Sequence, residues 1–329
     1  MKNYPSYSVA IRTLGTAGER YIRTLKSIQT QILQPEKIVV YIADGYTIPK
    51  ETIGVEEYVF VKKGMISQRA LQYGEIKSDY LLLLDDDVEL ESDSVKKLFD
   101  GLMQYPDSKC ISANVFPNHT MTLMSKFKSL VLYGVFPRRS DGWAFKVHSA
   151  ANYSYNNNPK SDVLPTQSFS GPVILINKQT FLNVHFNDEC WMDQFDYALG
   201  EDQLLAQKLF INGDKILVHY NSGIKHLDAK TGQKLIKNKK DKIMNNIESM
   251  YIVWYRSIYE LSSRPLKKSI ICISYILFSL YRFLVYCILG LIHQNINFPK
   301  GYLKGLWLGY NFCKTQNYKN LPKFQVRIP

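Results

Sequence analysis

Three consecutive carboxylates, Asp85, Asp86 and Asp87, end the aliphatic run 81–84. Adjacent like charges repel and are costly to desolvate, so an acidic cluster at the rim of an apolar core usually requires a cation that offsets it. Carboxylate oxygens suit Mg2+ or Mn2+, and such ions commonly enter with the phosphates of a substrate and take only one or two protein carboxylates. A strand that runs into an acidic surface turn would show the same residues, so this motif alone leaves both interpretations open.

The segments around these carboxylates alternate between strand and helix. Strands are predicted at 7–13, 37–43, 58–61 and in the run that ends at Asp85, and helices from 19 to about 31 and from 67 to 76. This alternation predicts an α/β fold with a mostly parallel sheet and helices on its faces, in which ligands bind at the carboxyl ends of the strands. Arg12, Asp44 and the three aspartates all fall at such ends.

The pattern changes beyond residue 114. A stretch rich in aromatic residues and asparagine predicts loops with short strands, and regular structure returns at 168–177, where a loop enters another strand. Gly200 then opens a predicted helix to about Phe210, and a strand follows at 215–220.

Charge is unevenly distributed along the 329 residues, whose formal net charge is +12. Residues 1–214 carry 22 basic and 25 acidic side chains, whereas residues 215–329 carry 19 and 4, so the two parts net −3 and +15. A basic segment attracts polyanions, and composition alone does not choose among anionic lipid, nucleic acid and a phosphorylated substrate. The five cysteines form no CxxC pair and the N-terminus shows no apolar signal stretch, which predicts a reducing, cytoplasmic compartment.

A second feature is the apolar segment 269–292, whose only formal charge is Arg282. Its length could cross a bilayer. However, Tyr275, Ser279, Arg282 and Tyr286 recur at helical spacing and form one stripe, the polar stripe. Lysines flank the segment on both sides, so the positive-inside rule gives no preferred orientation. The pattern favours an interfacial or re-entrant helix, and the alternative is a helix that buries its apolar face against the rest of the protein.

Taken in order, the landmarks resemble the family 2 glycosyltransferases with the GT-A fold, which transfer sugars from nucleotide diphosphates with inversion. The resemblance covers about residues 6–230. It rests on the opening strand 9–13, Asp44, the segment 64–70, the DxD-like 84–87, the ED-like Gly200-Glu201-Asp202, and His226. It implies a GT-A catalytic domain over residues 1–230, and the charge distribution with the apolar segment 269–292 predicts a basic, helical and membrane-associating region over 231–329.

The resemblance also implies which residues hold the donor. Asp85, Asp87 and His226 would hold Mn2+ or Mg2+ against the diphosphate and neutralise charge on the leaving nucleotide, although a lone histidine is as often structural. The other implied donor-binding residues are Arg12, Thr13, Asp44, Arg69, Asp86 and Gly171, with Asp85 among them as well. Asp44 would accept a hydrogen bond from a base edge such as N3 of uracil, or would only cap the turn at Gly45.

The predictions for acceptor binding and catalysis depend on the ED-like motif. Asp202 is the expected general base and takes the proton of the acceptor hydroxyl, while Glu201 orients the acceptor or tunes Asp202. An acidic first helical turn, favoured by the macrodipole, is the alternative. Trp191 could stack on an acceptor ring or belong to the core. The segment 207–210 contains no QxxRW sequence, which argues for addition of a single sugar.

The sequence therefore predicts an inverting, metal-dependent transferase with a UDP- or dTDP-type donor. The expected acceptor is a glycan, lipid-linked, in surface polysaccharide synthesis, and the expected location is the inner face of the cell membrane, without a nucleic-acid partner. One alternative is a phosphohydrolase of the haloacid type, although 88–90 lacks the hydroxyl residue of DxDxT. A non-enzymatic, basic membrane-binding module is the other, and it leaves the aspartates unexplained.

Overall fold

The structure is a computed structural model that describes residues 4–115, 123–133, 136–138, 142–195, 197–227 and 238–324. Its strands are β1 Tyr7–Thr13, β2 Ile38–Ala43, β3 Glu56–Val61, β4 Tyr80–Asp85, β5 Val88–Leu90, β6 Ser108–Ala113, β7 Phe136–Arg138, β8 Phe145–Val147, β9 Tyr153–Asn156, β10 Val163–Thr166, β11 Val173–Asn177, β12 Lys215–His219 and β13 Ile224–His226. Its helices are α1 Glu19–Gln29, α2 Ser94–Met103, α3 Leu123–Lys128, α4 Lys178–Asn183, α5 Glu201–Ile211, α6 Lys239–Trp254, α7 Pro265–Ile292, α8 Asn297–Phe312 and α9 Gln316–Lys319.

Eight strands form the central sheet in the order β10-β12-β6-β11-β4-β1-β2-β3. The pairs that join β4, β1, β2 and β3 are parallel, as is β12 with β6, whereas β11 runs antiparallel between β4 and β6. β2 is buried at every position and β1 at all but one, because helices and loops cover both faces of a parallel sheet. The predicted mixed, mostly parallel α/β fold is confirmed.

The predicted strands agree with the observed ones to within two residues at their ends, but the helix predicted over 67–76 is wrong. Residues 65–69 form turns instead. The amides of Ile66 and Ser67 donate to the Asp193 carboxylate, and Tyr73 adopts a left-handed φ of 51°. A helix cannot continue through that backbone conformation.

The C-terminal helices share the main hydrophobic core. Ile252 and Val253 of α6 are fully buried and belong to the same core cluster as Leu83 of β4 and Leu204 of α5. The predicted division of the chain at residue 230 remains a prediction about function, since the two parts pack as neighbours around this core.

A buried ion pair also joins the C-terminal region to the rest of the protein. Glu189 has no exposed surface and accepts two hydrogen bonds from Arg256, at 2.7 and 2.9 Å. Lys208 of α5 lies 3.2 Å from the same carboxylate, and the indole of Trp191 donates to it at 2.8 Å. Two cations and an indole therefore satisfy one buried carboxylate, as a buried charge requires.

Helices α6 and α8 pack closely through a glycine stripe at 301, 305 and 309. A Cβ built on Gly305 would lie 2.6 Å from the Met244 carbonyl oxygen and 2.8 Å from the Ile247 Cβ. Small residues four apart allow two helix backbones to approach in this way. The GxxxGxxxG spacing is legible in the sequence, although it does not identify α6 as the partner.

We expect Gly305→Val to lower the free energy of unfolding by about 1–3 kcal/mol, because the added methyl groups overpack the contact between α6 and α8. Thermal and denaturant unfolding measure the change. Gly74→Val is the matched control, since a Cβ at Gly74 meets nothing within 4 Å. Equal stability of the two variants would contradict the close packing.

Among the described residues, α7 is the one helix long and apolar enough to cross a membrane. Only 11% of its most apolar 18-residue window is buried. The alternative in which this helix buries its apolar face is therefore wrong, because residues such as Ile273, Leu280 and Leu284 are more than half exposed.

Candidate active site

Charged side chains from four segments meet at the carboxyl edge of the sheet. Arg12 of β1 and Asp85 of β4 are register partners, and Arg12 Nε donates to Asp85 Oδ1 at 2.6 Å. Arg12 Nη1 also donates to Glu201 Oε1 at 2.5 Å. The strand ends and the start of α5 are thus joined by one guanidinium, at the edge where ligands bind in such sheets.

A second arginine, Arg69, contacts the same carboxylates and is only 2% exposed. It donates to Asp202 Oδ1 at 3.0 Å, to Asp85 Oδ1 at 3.2 Å and to the Gly171 carbonyl at 2.9 Å. Arg69 Nη1 lies 3.3 Å from Glu201 Oε1 as well. The network of Arg12 and Arg69 with Asp85, Glu201 and Asp202 therefore holds two cations and three carboxylates.

The pKa values in this network reflect burial opposed by the arginines. Burial raises the pKa of Glu201 above its ordinary value, against the opposing effect of Arg12 and Arg69. Burial acts in the same direction on Asp85, but Arg12 and Arg69 outweigh it and hold the pKa of that carboxyl below its ordinary value. Asp85 is thus an ionised partner of two guanidinium groups.

Asp202 is the most accessible carboxylate of the network. Its side chain is 34% exposed, compared with 22% for Asp85 and 10% for Glu201. Asp202 Oδ2 accepts the Gly171 amide at 3.0 Å, so both oxygens are oriented. An oriented carboxylate with an exposed edge is suited to take a proton from a bound hydroxyl group.

Gly171 is required by this geometry, because a Cβ at that position would lie 1.7 Å from Asp202 Oδ1. The next residue, Pro172, accepts the Asp85 amide through its carbonyl at 3.0 Å, which holds this loop against the end of β4. The close approach at Gly171 is therefore to Asp202, and a contact of Gly171 with the donor remains a prediction.

We expect Gly171→Ala to displace the Asp202 carboxylate and to lower transfer activity about 100-fold, the typical cost of a 1 Å misplacement in an active site. Initial rates and a melting curve on the same preparation separate activity from folding. Gly74→Ala serves as the control. Full activity of Gly171→Ala would show that the position of Asp202 does not matter.

Thr13 and Asp86 form a second, buried contact at the same edge. The Thr13 hydroxyl donates to Asp86 Oδ2 and accepts the Gly15 amide at 2.8 Å. Burial raises the pKa of Asp86 to about 7, and the neighbouring Asp87 and Asp85 add to that shift, although the Thr13 hydrogen bond opposes it. Asp86 is 6% exposed, so its side chain is buried and holds the ends of β1 and β4 together through Thr13.

Asp87 lies beside His226, and the metal-binding role that the resemblance implies for both residues remains a prediction. β13 lies antiparallel to β5, which places His226 opposite Val88. His226 Nε2 lies 3.1 Å from Asp87 Oδ1, and the imidazole is 31% exposed. Within the described ranges, no three His, Cys, Asp or Glu side chains are arranged to hold an ion, but one carboxylate and one imidazole fit an ion that takes few protein ligands and completes its shell from phosphate and water.

One sequence expectation needs correction and another stays open. The oxygens of Asp85 accept hydrogen bonds from Arg12 and Arg69, and its part in holding a metal ion, directly or through water, remains a prediction. Trp191 is 9% exposed, its indole donates to the buried Glu189, and its ring centroid lies 6.0 Å from that of Phe312. The ring is therefore part of the core and is not presented as a stacking platform.

Asp44 lies exposed at the end of β2, beside Gly45 at a φ of 85°. Its amide donates to the Val61 carbonyl at 2.7 Å, which places the residue at the same edge of the sheet as Arg12 and Asp85. Its role toward a nucleotide base remains a prediction.

Asp193 is a residue that sequence reasoning missed. It accepts the Ile66 amide at 2.7 Å and the Ser67 hydroxyl at 2.5 Å. A Cβ on Gly64 would lie 2.4 Å from the Asp193 Cγ. Asp193 thereby fixes the turn 64–69 that carries Arg69. No local pattern links the two segments, which lie about 125 positions apart; only the glycine at 64 is a signal of close approach.

With this geometry in place, comparisons with known proteins bear on the fold. No protein-family model matches the chain, and no curated protein matches it in sequence. Among solved structures, the chain is similar to GalNAc-T7 crystallised with UDP, GalNAc and Mn2+, with a TM-score of 0.50 and 14% sequence identity. The match covers 82% of this chain and 52% of that one, so the chain spans about half the length of that structure. At this identity the likeness concerns the fold alone, and it confirms the predicted GT-A fold.

Proposed function

We propose that the chain is an inverting, metal-dependent glycosyltransferase that moves one sugar from a nucleotide diphosphate donor to a glycan acceptor. The observation that carries the proposal is the presence of two chemically different carboxylates at one edge of a GT-A sheet. Asp202 is oriented by Arg69 and the Gly171 amide, whereas Asp87 is paired with His226.

Asp202 acts as the general base in this proposal. Its exposed edge accepts the proton of the acceptor hydroxyl while that oxygen attacks the anomeric carbon and the nucleotide diphosphate leaves. Arg69 is fixed by its contacts to Asp85 and Gly171, so it holds Asp202 in place. General-base catalysis by a positioned side chain contributes about 10²–10⁴-fold in rate.

Asp87 and His226 would hold Mn2+ or Mg2+, and the bound ion would neutralise charge on the departing diphosphate. Asp85 would balance Arg12 and Arg69 where the diphosphate binds, so that both guanidinium groups are positioned before the donor arrives, and it would reach the ion through water. The structure of GalNAc-T7 contains UDP and Mn2+, which supports a divalent ion and a nucleotide donor.

The remaining edge residues would bind the donor. Asp44 would accept from a uracil or thymine base, which favours a UDP- or dTDP-type donor. Arg12 would bind the diphosphate. The buried Thr13–Asp86 pair would hold the edge of the sheet at which the nucleotide binds. Membership of family 2 is part of this proposal.

The acceptor is proposed to be lipid-linked, and the setting is surface polysaccharide synthesis at the inner face of the cell membrane. Support comes from the exposed apolar side of α7 and from the basic C-terminal sequence. The proposal includes no nucleic-acid partner.

The phosphohydrolase alternative is disfavoured by Asp85. In that class the first aspartate of the motif is the nucleophile and must be free to attack phosphorus. Here both of its carboxylate oxygens accept hydrogen bonds from arginine side chains.

Calorimetric titration with a panel of nucleotides and nucleotide sugars, with and without Mn2+, tests the proposal. We expect Mn2+-dependent binding of UDP- or dTDP-type compounds and no binding of other bases at similar strength. Hydrolysis of each donor in the absence of acceptor is followed on the same samples. Folded protein that binds no nucleotide sugar under any condition would overturn the proposal.

A further inference from the structure

The outer side of the C-terminal helices is strongly apolar. We use the name apolar face for the large apolar side chains on α3, α7 and α8 that are about half exposed or more, among them Phe127, Ile273, Ile276, Leu280, Leu284 and Trp307. The hydroxyl of Tyr281 donates to the Leu130 carbonyl at 3.2 Å, which joins α7 to the segment that follows α3. Soluble monomers rarely expose an apolar patch on this scale, and such patches mark interaction surfaces.

The polar stripe of α7 is turned inward. Tyr275 stacks on Trp254 with ring centroids 3.8 Å apart. The Tyr302 hydroxyl donates to the Ser279 carbonyl at 3.0 Å, and the rings of Tyr286 and Tyr302 lie 5.0 Å apart. A helix at the surface of a soluble protein has the opposite arrangement, with polar side chains toward water. The surroundings outside α7 must therefore be apolar.

The charge of the surrounding sequence identifies those surroundings. Residues 261–329 contain ten Lys and Arg and no Asp or Glu. Lys267 and Lys268 lie in the first turn of α7, and Lys300 and Lys304 lie in α8. Basic residues beside an apolar surface match the headgroups and hydrocarbon of an anionic bilayer. Two copies of this chain that met through the same face would bring like charges together.

Helix α7 is long enough to cross a bilayer, because 28 residues at 1.5 Å each extend about 42 Å. The helices packed against α7 prevent it from crossing. The polar stripe is bound to α6 and α8, and α6 carries Asp241, Glu248 and several lysines while its C-terminal end lies in the catalytic core. A crossing would take those charges into hydrocarbon, at a cost of several kcal/mol for each.

We propose that the apolar face inserts into one leaflet of an anionic bilayer, with α7 parallel to the membrane plane and not crossing it. This inference gives the membrane location of the proposed function a surface and an orientation, and it rests on that function only for the identity of the acceptor.

Intrinsic fluorescence of the full chain tests the depth of insertion. Trp307 is 62% exposed on the apolar face, whereas Trp191 and Trp254 are buried. With vesicles of phosphatidylcholine and phosphatidylglycerol, we expect quenching by lipids brominated near the carbonyl end of the acyl chain and much less by lipids brominated at its far end. The effect should disappear in Trp307→Phe and persist in Trp143→Phe. Quenching that is strongest at the bilayer centre would indicate a spanning helix and overturn the proposal.

Vesicle sedimentation tests the surface. The double variant Ile276→Gln, Leu280→Gln should bind about ten-fold more weakly or worse, because it removes two apolar side chains from the inserted face. The matched control is Ile32→Gln, Val55→Gln, which changes two exposed apolar residues of the catalytic domain and should bind normally. Lys300→Gln and Lys304→Gln should each weaken binding about five-fold, and only with phosphatidylglycerol present.

If something other than a bilayer covered the apolar face, these experiments would give different results. A second copy of the chain would show as a dimer in light scattering without lipid, lost in the double glutamine variant, and would overturn the proposal. So would the absence of binding to any vesicle. Donor titration by calorimetry is unaffected by the glutamine substitutions if the proposed transfer site is correct, so a failure of the membrane proposal and a failure of the transferase proposal are distinguishable.

Discussion

Asp202→Asn is expected to lower the rate of sugar transfer by about 10²–10⁴-fold, the contribution of a positioned general base. Asparagine has nearly the same volume and keeps an oxygen that can accept the Gly171 amide, but it cannot take the proton of the acceptor hydroxyl. Binding of the donor should therefore be unchanged. Initial rates with saturating donor, together with calorimetric titration of the donor, measure both quantities.

The control for this substitution is Asp241→Asn. Asp202 lies in the first turn of α5 and Asp241 in the first turn of α6, so both variants remove a charge that interacts favourably with a helix macrodipole, typically 0.3–1 kcal/mol. Because Asp202→Asn also removes a charged partner of Arg69, its loss of stability should equal or exceed that of Asp241→Asn. A folded Asp202→Asn variant without transfer, beside full transfer in Asp241→Asn, separates catalysis from helix stabilisation. Normal turnover of Asp202→Asn would show that the base is another residue.

Asp87→Ala is expected to weaken the Mn2+-dependent part of donor binding by about 100-fold or more, since the loss of even an outer-shell partner of a metal ligand costs about 10–100-fold in affinity. The binding that remains without Mn2+ should be similar to that of the unsubstituted protein. Titration of a nucleotide sugar at several Mn2+ concentrations, with removal of the ion by a chelator as the reference, measures the two parts.

His226→Ala extends this test, because His226 Nε2 lies 3.1 Å from the Asp87 carboxylate. If both side chains hold one ion, the two substitutions should not be additive, as expected for residues that share a partner. Glu89→Ala is the control, since Glu89 lies on the same β5–β13 ribbon opposite Lys225. Mn2+ dependence that survives Asp87→Ala would place the ion elsewhere.

The sheet and the position of its chemistry were predictable from the sequence. β2 and β4 are nearly continuous aliphatic runs and β1 has Val9-Ala10-Ile11 at its centre, which is the pattern of strands buried on both faces. Polar residues that follow such runs must lie at the carboxyl edge. This places Arg12, Asp44 and the three aspartates at that edge, and the structure brings Arg12 into contact with Asp85, and Thr13, which follows Arg12, into contact with Asp86.

The contacts between distant segments were not predictable in this way. Arg69 reaches Asp202 across 133 positions of sequence, and Asp193 organises the turn at 64–69 across a similar separation. The helix predicted at 67–76 failed because a carboxylate from elsewhere in the chain captured the amides of its first turn. Trp191 is likewise a residue type that can stack on a sugar ring, but its packing against Phe312 makes it a core residue.

The sequence by itself determined which strands are buried, where the acidic motifs follow them, and that α7 has one polar stripe among apolar residues. These properties depend on local periodicity. Only the tertiary structure decided that Asp85 pairs with Arg12 and Arg69, that Asp202 is the accessible carboxylate, and that the polar stripe faces the protein while the apolar residues face outward. The physical reason is that charge pairing and the direction of a helix face are set by segments far apart in the chain, whose contacts local spacing does not encode.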